Sequence, residues 1–242
     1  MKNPKPPSPR RQSFFHAIVF HHSPVRLLVA LVVLFVFTPF VVDLPEGNLI
    51  EAVLLTLVMV SAVLAVGARR RSLIVALVLV APALAGKWMN HFHPGVMPSY
   101  IFPASTVLFF GFVVGHLLRF IIRASRVDTN VLCAGVAGFL MLGLLWVPVY
   151  LLVAETAPGS FVVTTAPGVE SALDGFDAFY LSFVTLCTVG YGDVRPVTHI
   201  ARMLAVLEAI AGLFYMALLI ARLVSVYSST KPAAPGDSPG EP

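Results

Sequence analysis

The chain has 242 residues, of which 58% are hydrophobic and only 12% charged, with a formal net charge of +4 and a mean hydropathy of +0.89. That much apolar side chain cannot be placed on a water-facing surface, so the composition excludes a soluble globular domain and points to an integral membrane protein. The small positive balance falls where membrane topology puts it, as the loops below show, and nothing in it suggests a nucleic-acid partner.

Residues 1–24 form a basic, Pro-rich tail carrying Lys2, Lys5, Arg10 and Arg11. A cleaved signal peptide is the competing reading, but the first apolar run begins only near residue 25 and ends in Thr-Pro-Phe without a small-residue cleavage site, so it is expected to be retained. Six runs of near-spanning length follow: Leu27 to Val42, Leu49 to Val66, Leu73 to Ala85, Tyr100 to Ile122, Val131 to Val153 and Met203 to Ala221. The third is short and contains Pro82. It is either tilted, extended by Lys87 and Trp88 as interface anchors, or not fully spanning.

Lys and Arg concentrate on alternate connections. Arg26 joins the basic tail, Arg69, Arg70 and Arg71 sit in the second connection, and Arg119, Arg123 and Arg126 in the fourth. The others carry Asp43 and Glu46, then Lys87, then Glu155, Glu170, Asp174 and Asp177 with a single Arg195. Six crossings with both termini cytoplasmic fit every loop. Cys133 and Cys187 both lie in apolar or re-entrant surroundings, so no disulfide framework is implied.

The fourth run, IFPASTVLFFGFVVGHLLRFIIR, is apolar until His116, and Arg119, Arg123 and Arg126 come at its inner end. A charge contributes to voltage sensing only by crossing the field, about 2.3 kcal/mol per 100 mV. These arginines are expected to anchor the helix end at the headgroups, leaving voltage sensing weak or lost. The link from Arg126 to Val131 leaves little room for a separate linker helix unless the inner part of the fourth run serves as one.

About fifty residues separate the fifth and sixth runs, too many for a simple turn, and they contain DGFDAFYLSFVTLCTVGYGD. Asp174 or Asp177 is placed to cap a helix of roughly 11 to 13 residues, too short to cross a bilayer. Such a helix dips in and returns through Thr188 to Gly192. Non-helical backbone at membrane depth is tolerated only where it lines an aqueous path or is covered by protein. Gly190 and Gly192 permit dihedrals that turn successive carbonyls to one side, and a ring of such carbonyls is a cation site.

TVGYGD, residues 188 to 193, resembles the selectivity-filter signature of the tetrameric potassium channels. Pro196, Val197 and Thr198 follow as they often do in that superfamily, and Gly212 within AIAG stands where many members have an inner-helix hinge. An accidental match of six residues has a chance on the order of one in 10⁵. The resemblance is specific over residues 172–227 and loose elsewhere, and points to a six-transmembrane prokaryotic voltage-gated-like channel with a degenerate sensor. It implies that the carbonyls of Thr188, Val189, Gly190 and Tyr191, with the Thr188 hydroxyl, replace the hydration shell of K+ and that Gly192 completes the filter. One filter strand per chain implies a homotetramer and disfavours the transporters that carry four pore-like repeats in one chain. The complete signature favours potassium over a nonselective cation pore.

Several positions depart from the family. Val184 stands where some members place a glutamate that pairs with the filter aspartate, so Asp193 needs other partners. Tyr180 occupies a position often held by tryptophan, and its hydroxyl is one such partner. Cys187 replaces the usual threonine and is expected to serve as small-residue packing behind the filter. Glu208 lies in the last run, four residues before Gly212 and on the same helical face, where an ionisable group is costly and functional by default. Three roles are open to it: a cavity-facing cation attractor, a protonated hydrogen-bond partner of the pore helix at Thr185 or Cys187, or a structural bond to a neighbouring chain.

His91 and His93 supply at most half of a metal site, and His21, His22 and His116 are either pH-sensitive groups or interfacial packing. No nucleophile elbow, P-loop or zinc-hydrolase motif is present, so an enzyme is not expected. The expected fold is all-α and membrane-integral, with a re-entrant pore helix and filter between helices five and six. It divides into a cytoplasmic tail (1–24), a four-helix sensor-like domain (25–126), a pore domain (127–227) and a disordered tail (228–242). The expected function is passive K+ conduction with little or no voltage gating. Its expected site is the bacterial plasma membrane, among lipid, with K+ as permeant ion and no cofactor. The competing class is a non-conducting membrane scaffold or signalling protein with a pore-like fold.

Overall fold

The computed structural model describes residues 23–42, 44–67, 70–92, 100–166 and 169–229. Lys2, Lys5, Arg10, Arg11, His21, His22, Asp43, Arg69, His93 and the tail after residue 229 lie outside the described residues, as does the side chain of His91. Six helices among the described residues are long and apolar enough to cross a membrane. They are α1 (Ser23–Val41), α2 (Gly47–Val66), α3 (Arg70–Phe92), α4 (Ile101–Arg123), α5 (Thr129–Thr156) and α7 (His199–Ser229), with the short α6 (Gly175–Leu186) between the last two. In hydrocarbon every backbone group must be satisfied within its own segment, so uninterrupted Leu, Val and Ala runs become helices even where β-branched residues are frequent.

The third helix extends well beyond its apolar run and carries Pro82 inside it. Lys87 forms an ion pair with Glu51 of α2 at 3.0 Å, and the Trp88 indole N–H donates to the Thr56 hydroxyl at 3.2 Å. These polar groups of α2 satisfy the side chains at the end of α3, so the helix continues to Phe92 instead of stopping near Ala85.

Helix α5 is the hub of the packing, touching α1, α4, α6 and α7. Buried Leu31 and Leu34 of α1, Phe109, Phe110 and Val113 of α4, and Ala134, Ala137, Met141 and Leu144 of α5 belong to one cluster. Lipid is as apolar as leucine, so such contacts hold helices together through close packing and interhelical hydrogen bonds. The Tyr215 hydroxyl of α7 donates to the Gly135 carbonyl of α5 at 2.9 Å. Gly143 of α5 has no Cβ where the Phe183 ring of α6 lies. Phe183 packs in turn against Phe35 of α1, with ring centroids 4.6 Å apart. The first of the described helices thus reaches the short helix directly.

The α4–α5 link is only 124–128. Asp128 ends it by accepting the Val131 N–H at 2.9 Å, the usual job of an aspartate before a helix. Arg222 of α7 reaches back to donate to the Ala124 carbonyl at 2.7 Å.

The connections on either side of α6 hold strands that the sequence reading does not place there. β1 (Phe161–Ala166), β2 (Val169–Ser171) and β3 (Val194–Pro196) form a small antiparallel sheet in the order β2-β1-β3. Phe161 pairs with Pro196 and Val163 with Val194, so the chain after the TVGYGD turn is stitched to the chain before α6. Phe161, Val163 and Val194 pack with Tyr150 of α5 and with Ala178 and Leu181 of α6. The FVVTT run is β-branched and aromatic, which suits a pleated half-buried surface, and Gly159 precedes it with φ 81°.

Two substitutions test this packing. Gly143→Ala, which drives a methyl into the Phe183 ring, is expected to cost about 1–3 kcal/mol of stability, measured by unfolding in detergent, with partial recovery when Phe183→Leu is added. Asp174→Ala removes the acceptor at the start of α6 and is expected to cost about 0.5–2 kcal/mol in the same assay.

Candidate functional site

Helix α6 begins at a reciprocal cap. The Asp174 carboxylate accepts the Asp177 N–H at 2.7 Å, and the Asp177 side chain accepts the Asp174 N–H at 3.4 Å. Burial first, and then the charge of Asp174, push the Asp177 carboxyl above its ordinary value. Folding therefore favours its protonated form, and that contribution is lost as pH rises through the raised value. With 12 residues the helix is about 18 Å long, well short of a hydrocarbon core of about 30 Å.

The backbone changes character where α6 ends. The Cys187 N–H donates to the Phe183 carbonyl at 3.0 Å and the Thr188 N–H to the Thr185 carbonyl at 2.9 Å. The Val189 and Gly190 N–H groups both donate to the Val184 carbonyl, at 2.8 and 3.2 Å. The amides of the turn are thus folded back onto the helix that precedes it. Thr188, Gly190 and Gly192 have φ of 57°, 58° and 84°, whereas Val189 and Tyr191 do not have positive φ. In an ordinary strand, constant dihedrals make carbonyls alternate. When every second residue is left-handed, successive amides converge on one side of the chain and the carbonyls turn to the other. Thr188 is the costly member, because a β-branched residue at positive φ is a genuine outlier, worth about 1–3 kcal/mol of strain.

Asp193 is held from three directions. Its carboxylate accepts the Tyr180 hydroxyl at 2.8 Å and its own neighbour's N–H, that of Val194, at 3.0 Å. Its backbone carbonyl accepts the Thr164 N–H of β1 at 2.8 Å. Burial and the Asp193 contact push the Tyr180 phenol up to about 12, so it remains a donor at physiological pH. The Tyr180 and Tyr191 rings lie nearly parallel, 8° apart in plane and 6.5 Å between centroids.

Within the single chain, Cys187 and every residue from Thr188 to Asp193 are exposed, Val189 at 52% and Tyr191 at 73%. Glu208 and Gly212 face elsewhere. Glu208 is fully buried, with its carboxyl between the Tyr150 hydroxyl of α5 and the Ser182 hydroxyl of α6. Gly212 lies against the end of α6, where a Cβ would come 2.7 Å from the Leu186 carbonyl oxygen. Helix α7 runs unbroken through both positions. Thr185 and Cys187, the expected partners of Glu208, do not bond to it; Ser182, one turn earlier on α6, does.

Sequence reasoning passed over Tyr150, Ser182 and the left-handed Thr188. A signal for the first pair exists: a buried acid needs donors, and these are hydroxyls at the same depth on the two neighbouring helices. Arg119, Arg123 and Arg126 are exposed at the end of α4 and in the link that follows, and His116 sits one turn earlier beside the Phe112 ring, 6.4 Å between centroids.

Residues 139–229 match the family model described as "Ion channel". The chain is 35% identical over 68 residues to two pore potassium channel c of Oryza sativa, a match covering 28% of this chain and 14% of that protein. It is 46% identical over 52 residues to potassium voltage-gated channel subfamily A member 5 of Mustela putorius furo, covering 22% and 9%. With two-pore potassium channel 4 of Arabidopsis thaliana it is 43% identical over 49 residues, covering 20% and 17%. The matches therefore span less than a fifth of the length of these relatives, and no solved structure matches the chain. The family match falls on the segment that holds most of α5, the short helix, the TVGYGD turn and α7, and together with these relatives it supports membership of the potassium channel superfamily.

Proposed function

We propose that four copies of the chain assemble around one axis into a potassium-selective channel that passes K+ down its electrochemical gradient. The observation that carries this reading is the alternation of left-handed residues at Thr188, Gly190 and Gly192, with the turn's amides taken up by Val184. It leaves the carbonyls of Thr188, Val189, Gly190 and Tyr191 as a one-sided row of acceptors. One row cannot surround an ion, and four related by rotation can. The exposure of this row in the single chain fits such an assembly, as does α7, only 17% of whose apolar span its own chain buries.

In this reading α6 enters the membrane from outside and the chain returns through residues 188–192. A K+ ion exchanges water oxygens for carbonyl oxygens as it moves along the row, with the Thr188 hydroxyl as the innermost ligand. The C-terminal end of α6, with its partial negative charge, helps hold a cation below the row. Tyr180, Asp193 and β1 fix the outer end of the row. Exclusion of Na+ follows from the field and number of these oxygens, which four copies hold at a common radius.

The arginines at the inner end of α4 already sit at the interface that the charge pattern assigns to the cytoplasm, so they move little charge across the field. Gating by voltage is weak or absent. The same charge pattern supports a reading with both termini inside, and we read the membrane as a bacterial inner membrane.

Reconstituted into liposomes, the protein is expected to pass K+ much faster than Na+, and Gly190→Ala, which forces a Cβ into a left-handed position, to abolish the K+ flux. No flux from wild type under any voltage or pH favours a scaffold, and equal Na+ flux overturns selectivity. In planar bilayers, neutralising Arg119 and Arg123 together is expected to leave the voltage dependence of conductance unchanged, since each charge carried across the field is worth about 2.3 kcal/mol per 100 mV and these carry little. A clear shift contradicts that assignment.

A further inference from the structure

Glu208 is the most deeply buried ionisable group of the last helix, 0% exposed, and its two hydroxyl neighbours Ser182 and Tyr150 are equally covered. The Tyr150 O–H donates to Glu208 Oε2. Glu208 Oε1 lies 2.5 Å from Ser182 Oγ, and the same Ser182 Oγ lies 2.8 Å from the Gly143 carbonyl oxygen. From α5 the carboxyl is faced by Tyr150 and from α6 by Ser182, and neither brings a positive charge.

Counting hydrogens assigns the proton. A serine hydroxyl has one hydrogen, and a backbone carbonyl has none to give. If Ser182 donates to Gly143, the short contact to Glu208 needs its hydrogen from the acid. If Glu208 is ionised, Ser182 spends its only hydrogen there and stands against the Gly143 carbonyl as two bare acceptors. The neutral acid gives an unbroken line of donors: Tyr150 to Oε2, Oε1–H to Ser182, Ser182 to Gly143. A buried carboxylate without a cation is also far costlier at this depth than the neutral acid.

The position of this line is what gives it a function. Ser182 and Leu186 are one turn apart on α6, as are Glu208 and Gly212 on α7. Ser182 meets Glu208, and the Leu186 carbonyl meets Gly212. The two helices are therefore fixed in register over the turn that immediately precedes Thr188, while Tyr150 ties the same point to α5 and to the Phe161 ring of β1, 5.3 Å away between centroids.

We infer that Glu208 is the neutral hub of a three-helix hydrogen-bonded junction that sets the depth and rotation of α6, and so the position of the filter carbonyls, against the inner helix. It is a positioning residue, and its face of α7 is turned to the short helix and away from the ion path. The positioning part rests on the channel reading above; the protonation part does not.

The test combines infrared spectroscopy with flux on the full-length protein. Wild type is expected to show a protonated-carboxyl C=O band that persists from about pH 5 to about pH 9 and disappears in Glu208→Gln. Glutamine accepts from Tyr150 and donates to Ser182, so Glu208→Gln should keep K+ flux and the K+/Na+ preference within about threefold, whereas Glu208→Ala and Ser182→Ala should lower that preference about tenfold or more. Absence of the band overturns the neutral hub. Glu208→Gln behaving like Glu208→Ala in a conducting background overturns it too, because it shows that the charge is needed. Should wild type carry no K+, the channel reading fails by itself. The band and the unfolding temperatures then decide the junction: Glu208→Gln melting with wild type and above Glu208→Ala supports it, and equal melting of all three overturns it.

Discussion

A stretch of chain that presents its carbonyls to one side must dispose of its amides on the other, and the rest of the α5–α7 half of this protein is arranged around that requirement. The amides of residues 187–190 return to carbonyls of α6, which are the acceptors that a helix end leaves free. The TVGYGD turn therefore finishes the helix, and the helix orients the turn. Left-handed Thr188 is tolerated because the structure around it determines the backbone from both ends. At one end stand the register contacts of α6 with α7, and at the other the grip of Tyr180, Val194 and Thr164 on Asp193.

Each support comes from a different segment, which explains why the α5–α7 half is not a free-standing hairpin of two helices. α5 supplies Tyr150 and the space at Gly143, α7 supplies Glu208 and Gly212, and β1 supplies a backbone donor. α1 adds Phe35 against Phe179 and Phe183. A shift of the peripheral helices is consequently felt at α6 through aromatic contact as well as through the short α4–α5 link. Arg222, bonded to Ala124 at that link, connects the lower part of α7 to the same region.

Much of this was legible in the sequence. Six spans, the short helix and its aspartate cap, and the glycine-alternating turn all follow from run length, capping chemistry and dihedral freedom, which are local properties. What was not legible is relational. The sheet depends on Val163 meeting Val194 across thirty residues that include the whole of α6, and no local pattern announces that pairing. The third helix outran its apolar run because Glu51 and Thr56, on another helix, satisfy Lys87 and Trp88. The chain gave notice that Glu208 needed a partner, but the choice of Ser182 over Thr185 or Cys187 turns on the rotation of α6 against α7. Likewise Gly212 reads in sequence as a hinge and in three dimensions as the place where the Leu186 carbonyl comes close.

The central claim is that four one-sided rows of carbonyls from Thr188 to Tyr191 meet around an axis and hold dehydrated K+. Crystals of the assembled protein soaked with thallium, an electron-dense mimic of K+, address it most directly. The account predicts anomalous density on a fourfold axis, in line between successive rings of these carbonyls and lost in Gly190→Ala. A protein without fourfold symmetry, or a fourfold assembly with no axial density beside residues 188–191, would contradict it.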